Sequence, residues 1–203
     1  ATQIMGRTRM QAALPIHVCD RLATWRVALA RQLDALPLPE CIQIGGAVGL
    51  RDKPNGKGQE AAAHVAGALG LSLTSVWHTD RTAIVDAGHW LMLLTGTLGK
   101  IGADIALMAQ QGVDEIGLDG AGGSSAMPHK QNPVRAETLI TLARYVAGQQ
   151  GILGQALVHE QERSGAAWAL EWMVLPAMFE ATGASLNHAQ GLLGQINRIG
   201  AQG

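Results

Sequence analysis

The distribution of proline limits where this chain can form long helices. Its seven prolines lie at positions 15, 37, 39, 54, 128, 133 and 176, which leaves two long proline-free windows, 55–127 and 134–175. Proline lacks a backbone N–H and clashes with the preceding helical turn, so helices rarely continue through it. Long uninterrupted helices are therefore expected inside these two windows.

The first window contains the clearest helical pattern. Its apolar and small residues recur at spacings of three and four: Ile84, Val85, Gly88, Leu91, Leu94, Thr95, Leu98, Ile101, Gly102, Ile105 and Met108. This spacing predicts one helix over 79–112, about 50 Å long, with Gly112 closing it. Four more helices are predicted at about 12–36 (with a kink or start near Pro15), 57–69, 133–162 and 166–197. Because period-two alternation is nearly absent, no strand is predicted, and the fold class is all-α, a long-helix bundle of about five helices.

Composition and charge exclude several classes of function. The 203 residues are 47% hydrophobic and 15% charged, with a formal net charge of −1. This balance is typical of a globular protein, and the absence of a basic stripe argues against nucleic-acid binding. No uninterrupted apolar stretch reaches the roughly 18 residues of a membrane span, so no membrane partner is expected. The two cysteines, Cys19 and Cys41, indicate reduced thiols in the cytoplasm.

Apolar residues occupy more than one face of the longest predicted helix, as at Ile101, Ile105, Leu107 and Met108. Such a helix must be covered on most sides. We therefore expect close self-association. The alternative is cover by further parts of the same protein.

The segment 122–133 carries a concentration of chemical groups. It reads Gly-Gly-Ser-Ser-Ala-Met-Pro-His-Lys-Gln-Asn-Pro, and Gly120 precedes it. The glycines form a conformationally permissive lead-in, and Asn132 and Pro133 suit the cap and first position of the following helix. Because a helix start favours anions, hydroxyls beside Lys130 indicate a carboxylate site. The alternative is a flexible glycine loop before an ordinary helix start.

The pattern Gly-Ser-Ser-x-Met-Pro-x-Lys-x-Asn-Pro at 123–133 resembles the signature loop of the fumarase/aspartase superfamily. The resemblance implies that Ser124 is the catalytic base. It also implies that Lys130 and Asn132 hold the substrate carboxylate and its aci-carboxylate intermediate, with Ser125 and Met127 among the substrate-binding residues. The fold implied is the superfamily's central helical domain, which forms the core of a homotetramer whose active sites are shared between subunits.

A second element near the start of the chain supports the resemblance. The run Gly6-Arg7-Thr8-Arg9-Met10-Gln11-x-Ala13-x-Pro15 is similar to the superfamily's Thr-His-x-Gln-x-Ala-x-Pro element. It implies that Thr8, Arg9 and Gln11 bind substrate. Arg9 stands where lyases of the superfamily usually have histidine, so the second proton-transfer group is not identified.

Two tryptophan-containing runs resemble the cycloisomerase branch of the superfamily. They are Trp77-His78-Thr79-x-Arg81 and Glu162-Arg163 followed by Trp168-x-x-Glu171-Trp172. The resemblance implies that Arg163 binds substrate and that His78, Trp168 and Trp172 determine specificity. Core packing is the alternative role for the two later tryptophans. Adenylosuccinate lyases place a phosphate-binding Ser and Arg at positions 168 and 172, so a nucleotide substrate is not expected.

Members of this branch lactonize 3-carboxy-cis,cis-muconate, a small tricarboxylate of aromatic catabolism. No metal site is readable in the sequence, and no cofactor is expected. On this interpretation residues 1–203 are a central domain, and the N-terminal and C-terminal domains of the family are not included. Two alternatives stay open: another lyase of the superfamily, such as one similar to adenylosuccinate lyase, and a non-catalytic helical scaffold like the related lens crystallins.

Overall fold

The computed structural model describes residues 2–37, 40–51, 55–120, 122–123, 127 and 130–200. Five helices make up most of the described chain: α1 (Val18–Asp34), α2 (Gly58–Leu69), α3 (Thr82–Met108), α4 (Val134–Gln155) and α5 (Gly165–Gln195). The predicted fold class, a long-helix bundle of about five helices, is confirmed.

Eight short strands accompany the helices in the part of the chain that the structure describes. They are β1 (Gln3–Thr8), β2 (Gln11–His17), β3 (Cys41–Ile42), β4 (Ser72–Leu73), β5 (Ile116–Leu118), β6 (Gly122–Gly123), β7 (Gln131–Asn132) and β8 (Ile196–Ile199). They form four two-stranded pairs: β1 with β2, β3 with β4, β5 with β8, and β6 with β7. The expectation that the chain contains no strand was therefore wrong.

The chain divides into two compact units. The first contains Ala1–Ala35, Leu91–Gly148 and Met178–Gly203, and the second contains Leu36–Trp90 and Gln149–Ala177. Each of the three longest helices, α3, α4 and α5, contributes residues to both units.

In the first unit, the core is built around one face of α3. The buried residues on this helix follow the predicted three-and-four spacing: Leu91, Leu94, Leu98, Ile101, Ile105 and Met108. Helix α4 lies close against α3. A Cβ added at Gly102 would lie 2.6 Å from the carbonyl oxygen of Ala136, and one added at Gly99 would lie 2.6 Å from the Cβ of Ala143. Glycine at these two positions is what allows the two backbones to approach so closely.

The predicted bounds of α3 were too wide at both ends. At the N-terminal end, the side chain of Asp80 accepts hydrogen bonds from the N–H of Thr82 at 3.1 Å and from its hydroxyl at 2.6 Å. This local capping sets the start at Thr82. At the other end the helix stops at Met108, and Gly112 lies in the turn that follows, with φ of 84°.

The prediction of a helix starting near residue 12 was also wrong, because β2 occupies this stretch and α1 begins at Val18. β1 and β2 form a hairpin in which Thr8 pairs with Gln11 and Met5 pairs with Pro15. Proline favours an extended conformation in the residue before it and donates no hydrogen bond. Every β2 residue except Ile16 is exposed, so the strand has no apolar alternation that the sequence could reveal.

The remaining helices lie close to their predicted positions. α2 begins one residue later than predicted, and α5 runs through Pro176, as predicted. α4 ends at Gln155 rather than near residue 162. The N–H groups of Ala156 and Leu157 bond to carbonyls three residues earlier, which tightens the chain into a turn.

Helix α3 is long and apolar enough to cross a membrane by length and composition, and half of its most apolar window is buried inside the structure. The sequence expectation concerned uninterrupted apolar stretches, and α3 is interrupted by Asp86, His89, Lys100 and Asp104. A core helix of a soluble protein has the same properties, so these two criteria do not distinguish the two cases.

Candidate active site

The signature segment is closed at its base by a short pair of strands. Gly122 pairs with Asn132 and Gly123 with Gln131, so β6 lies beside β7 directly before α4. Gly122 is needed for space, because a Cβ there would lie 2.8 Å from Cγ2 of Val134. Of the three lead-in glycines, Gly120 has a positive φ, 62°, while Gly122 and Gly123 are extended.

The start of α4 differs by one residue from the prediction. The carbonyl of Pro133 accepts the first helical hydrogen bond, from the N–H of Glu137 at 3.0 Å, and Asn132 belongs to β7. Proline suits this position because it donates no hydrogen bond. The backbone N–H of Lys130 donates a hydrogen bond to the carbonyl of Met127 at 2.9 Å.

Lys130 and Met127 are exposed and Asn132 is half-buried, so all three are accessible beside the free N–H groups of the first turn of α4. A cation next to a helix N-terminus is a favourable place for a carboxylate. The predicted base Ser124 and the predicted substrate-binding residue Ser125 lie outside the described residues.

The second predicted element forms the tip of the β1–β2 hairpin. Thr8 and Gln11 face each other at the last pair, and Arg9 and Met10 make the two-residue turn with φ of 51° and 64°. Two consecutive non-glycine residues in the left-handed region are a strained arrangement. The side chains of Thr8, Arg9 and Gln11 are all exposed.

The hairpin is anchored by one buried carboxylate. Oε1 of Glu115 accepts hydrogen bonds from the N–H of Met5 at 2.9 Å and from the guanidinium of Arg7 at 2.8 Å. Arg21 lies 3.8 Å from the other oxygen. A cavity of about 590 Å³ lies beside this cluster and is lined by Arg7, Arg9 and Arg21 among others. Arg9 has no ion pair in the described part of the chain, so its charge is available to an anion.

Both predicted elements lie in the first unit. Across the described residues, no hydrogen bond or ion pair joins Thr8, Arg9 or Gln11 to Lys130 or Asn132.

The second unit contains a cleft that brings together the other predicted residues. Its volume is about 190 Å³, and it is lined by Gln43, Trp77, His78, Arg81, His159, Arg163 and Trp168. Nη2 of Arg163 lies 3.2 Å from each ring nitrogen of His78. The Cζ atom of Arg163 is 4.9 Å from the ring centroid of Trp168, close enough for a cation–π interaction.

The two later tryptophans lie against each other, with ring centroids 4.7 Å apart and planes inclined at 54°. Trp168 is half-buried and lines the cleft, whereas Trp172 is 64% exposed. Core packing, the alternative role for these residues, does not describe Trp172 in this chain.

Sequence reasoning missed the buried polar pair behind the cleft. The guanidinium of Arg81 donates two hydrogen bonds to the carboxylate of Glu171, at 2.7 and 2.6 Å. Nε2 of His159 lies 3.7 Å from the same carboxylate. Both Arg81 and Glu171 occur in the tryptophan-containing runs, but they are 90 residues apart, and no local pattern pairs them.

Burial and the neighbouring guanidiniums both lower the pKa of His78. Desolvation lowers the pKa of its imidazole below the ordinary value, and the charges of Arg163 and Arg81 lower it further. The protein therefore favours the neutral ring in the absence of an anion. Among the described residues, no group of three or more His, Cys, Asp or Glu side chains is placed to hold a metal ion.

Comparisons with known proteins also indicate a lyase family for this chain. A family model described as "Lyase" matches residues 1–148. The chain is similar to the 3-carboxy-cis,cis-muconate cycloisomerase of Acinetobacter baylyi, with 37% identity over 198 residues that cover 94% of this chain and 44% of the relative. It is also similar to the nitrosuccinate lyase of Streptomyces davaonensis, with 34% identity over 210 residues that cover 95% of this chain and 44% of that enzyme.

Among solved structures, the chain matches the crystal structure of the 3-carboxy-cis,cis-muconate lactonizing enzyme from Pseudomonas putida. The TM-score is 0.88 and the identity is 36%, over 97% of this chain and 46% of that one. The chain thus spans less than half the length of each of these relatives.

Proposed function

This chain belongs to the fumarase/aspartase lyase family, and from that premise we propose that the protein containing it is a cycloisomerase that converts 3-carboxy-cis,cis-muconate to a carboxymuconolactone. The observation that carries the proposal is the cleft of the second unit. There Arg163 lies over the indole of Trp168 beside His78, so a cation and a flat apolar wall are adjacent. This combination suits a small, conjugated polycarboxylate, and Trp168 and Trp172 stand where adenylosuccinate lyases have a phosphate-binding Ser and Arg.

The proposed reaction is an intramolecular addition. One carboxylate oxygen of the substrate attacks a carbon of the conjugated double bond, and the displaced electron pair moves onto the neighbouring carbon–carboxylate unit as an aci-carboxylate. A proton then reaches the carbon beside that carboxylate. The substrate trianion and one proton give the lactone dianion, so no cofactor is needed. Because the nucleophile is part of the substrate, the enzyme must hold one conformer and stabilise the developing charge.

In the proposed reaction, residues of the signature loop and of the β1–β2 hairpin transfer the proton and bind the carboxylates. Ser124 is the proton-transfer group: it removes the proton in the elimination direction and delivers it in the addition direction, and solvent then restores the hydroxyl. Lys130 and Asn132, beside the free N–H groups of α4, hold the carboxylate that becomes the aci-carboxylate. Thr8, Arg9 and Gln11 bind the other carboxylates.

The complete site is proposed to form in a homotetramer in which different subunits supply the hairpin, the signature loop and the cleft. Supporting this, no direct interaction joins the hairpin to the loop among the described residues of one chain, and many apolar side chains are exposed. We assign the enzyme to the cytoplasm, where its two cysteines, both free and exposed, would remain reduced.

A second candidate is a lyase of the same family that acts on a different carboxylate. The 34% identity to nitrosuccinate lyase favours keeping it, because this value is close to the 37% identity to the cycloisomerase. The two candidates share the signature loop and differ in what the cleft must accept.

An ultraviolet assay of the natural protein that contains this sequence tests the proposal. Loss of the conjugated diene absorbance is followed with 3-carboxy-cis,cis-muconate, and nitrosuccinate, adenylosuccinate and argininosuccinate serve as comparison substrates. Rapid turnover of the muconate alone is expected. Turnover of a comparison substrate in its place would assign the protein to the lyases.

Replacement of Ser124 by alanine tests the proton-transfer assignment. We expect kcat to fall at least about a hundredfold, because a positioned acid–base group contributes roughly 10²–10⁴ in rate, while the oligomeric state stays unchanged. The control is Thr141→Ala, an exposed hydroxyl on α4, which should keep full activity. A fully active Ser124→Ala enzyme would refute the assignment.

A further inference from the structure

His159 is a buried side chain whose ring nitrogens have no hydrogen-bond partner within the described chain. Its side chain is 1% exposed. Neither ring nitrogen makes a hydrogen bond to another described residue. Leaving a buried donor or acceptor unsatisfied is costly, so most such groups in native proteins are paired. His159 also lines the cleft of the second unit, together with Arg163 and Trp168.

The charges around His159 favour an anion in that cleft. Two guanidiniums, of Arg81 and Arg163, line it, and the carboxylate of Glu171 lies behind it. Arg81 is fully engaged with Glu171 through two short hydrogen bonds. Arg163 contacts His78 and the Trp168 ring but has no carboxylate partner among the described residues. One positive charge is therefore left uncompensated when both histidines are neutral.

The position of Glu171 determines which protonation state of His159 can donate a hydrogen bond to a ligand. Nε2 of His159 lies 3.7 Å from Oε1 of Glu171, and a carboxylate only accepts hydrogen bonds. A carboxylate ligand in the cleft also only accepts. A neutral imidazole has a single N–H and can serve one of these two acceptors, whereas the imidazolium can serve both.

We propose that His159 is a further substrate-binding residue, which donates a ring N–H to a carboxylate held by Arg163 and carries its second N–H toward Glu171. The ligand class is a small unsaturated polycarboxylate, because the indoles of Trp77 and Trp168 line the same 190 Å³ cleft. The inference rests on the proposed function and adds His159 to the residues that bind the substrate. It also implies that the protein takes up a proton when a ligand occupies the cleft.

The titratable and charged groups around His159 are Glu171, Arg81, Arg163 and His78 at the cleft, and the carboxylate of Glu160, which interacts with His159 electrostatically. The guanidiniums keep their charge, and Glu171 is held by Arg81. Desolvation lowers the pKa of His78, and the charges of Arg163 and Arg81 lower it further; a bound anion would relieve the part that comes from these charges. Variants of the two histidines must therefore be compared separately.

The experiment uses the complete natural protein and butane-1,2,4-tricarboxylate, a saturated tricarboxylate that cannot react. Calorimetric titrations in two buffers with different heats of ionisation measure affinity and proton uptake together. For His159→Gln we expect binding to weaken about tenfold or more, the effect of losing one hydrogen bond to a charged group, and the proton uptake to decrease. His78→Gln separates the contribution of the second histidine.

His64→Gln is the matched control, because His64 is an exposed histidine on α2 of the same unit. It should change neither the affinity nor the proton uptake. Wild-type affinity and uptake in His159→Gln would overturn the inference and would mean that His159 has only a packing role. Absence of proton uptake in the wild-type protein would overturn it as well.

If His159→Gln does not fold, ring ¹⁵N shifts of His159 in the wild-type protein decide the question. Two protonated nitrogens in the tricarboxylate complex support the inference, and shifts that the ligand leaves unchanged overturn it. The outcome is separable from that of the proposed function. Muconate turnover with a normal KM in His159→Gln removes the inference alone, whereas His159-dependent tricarboxylate binding without muconate turnover removes the function alone.

Discussion

At the scale of single residues, the second-unit cleft combines a buried ion pair, whose net charge is zero, with an exposed cation. Arg81 and Glu171 satisfy each other through a bidentate contact. Arg163 lies at the surface over Trp168 and touches His78. The Arg81–Glu171 pair therefore makes the buried side of the cleft rigid, while the positive charge of Arg163 remains available for a ligand.

The lowered pKa of His78 has a consequence for stability that can be measured. Because desolvation and the two guanidiniums favour the neutral ring in the folded state, the unfolded chain binds more protons as pH falls through the ordinary histidine range near 6.5. Folding stability contributed at this position is present above that range and is lost as pH decreases. We expect the unfolding midpoint in urea to fall less between pH 7 and pH 5 in His78→Gln than in the wild type.

His64→Gln again provides the comparison, since this exposed histidine has no such surroundings. It should reproduce the wild-type decrease. An identical decrease in His78→Gln would show that desolvation and the two guanidiniums do not lower the pKa of His78 in the folded protein.

At the scale of secondary-structure elements, the first unit depends on two kinds of close contact. The hairpin is held by the buried carboxylate of Glu115, which binds the backbone of Met5 and the side chain of Arg7. The helices α3 and α4 approach each other through Gly99 and Gly102, where a side chain has no room. Both contacts place the candidate site residues by fixing the elements that carry them.

Substitution of Gly102 by alanine tests the helix contact. A Cβ there would meet the carbonyl oxygen of Ala136 at 2.6 Å and the Cβ of Leu139 at 2.9 Å, so the backbones must separate. We expect a loss of about 1–3 kcal/mol in unfolding free energy, the usual cost of overpacking a core, measured by chemical denaturation.

Gly148→Ala is the matched control. Gly148 is an exposed position in α4 with nothing within 4 Å of an added Cβ. Alanine there should stabilise the helix by up to about 1 kcal/mol through its higher propensity. If both substitutions changed the unfolding free energy in the same direction, the close approach of α3 and α4 would not be the reason for glycine at position 102.

At the scale of the whole molecule, the first unit leaves an apolar groove uncovered. The groove has a volume of about 570 Å³, and its lining comes from α1, α3 and α4: Thr24, Trp25, Ala28, Met92, Leu93, Gly96, Thr97, Lys100, Ile101, Ala143 and Ala147. Extended apolar surfaces of this kind mark sites of association. The prediction of self-association, drawn from helices that are apolar on several faces, assigns this groove to a neighbouring subunit.

Leu93→Lys tests that assignment, because Leu93 lines the groove and is 42% exposed. A buried, unpaired charge in the interface should shift the protein toward smaller species, measured by size-exclusion chromatography with light scattering. Leu157→Lys, at a leucine of the second unit with 41% exposure, should leave the assembly intact. A wild-type protein that is monomeric on dilution would contradict the tetramer.

The sequence by itself determined the helical framework and the family. The apolar residues spaced by three and four from Leu91 to Met108 are the residues that α3 buries in the core. Pro133 marks the start of α4 to within one residue. The signature loop identified the family because its residues are contiguous in the chain.

Only the tertiary structure decided the hairpin and the cleft. β2 is exposed on nearly all of its length, so burial left no alternation in its sequence, and its turn uses Arg9 and Met10 rather than glycine or asparagine. Arg81 and Glu171 are 90 residues apart in the sequence, and the burial of His159 without a hydrogen-bond partner arises only when these elements pack. Contacts between distant segments depend on how helices pack in space, and periodicity within one segment carries no information about them.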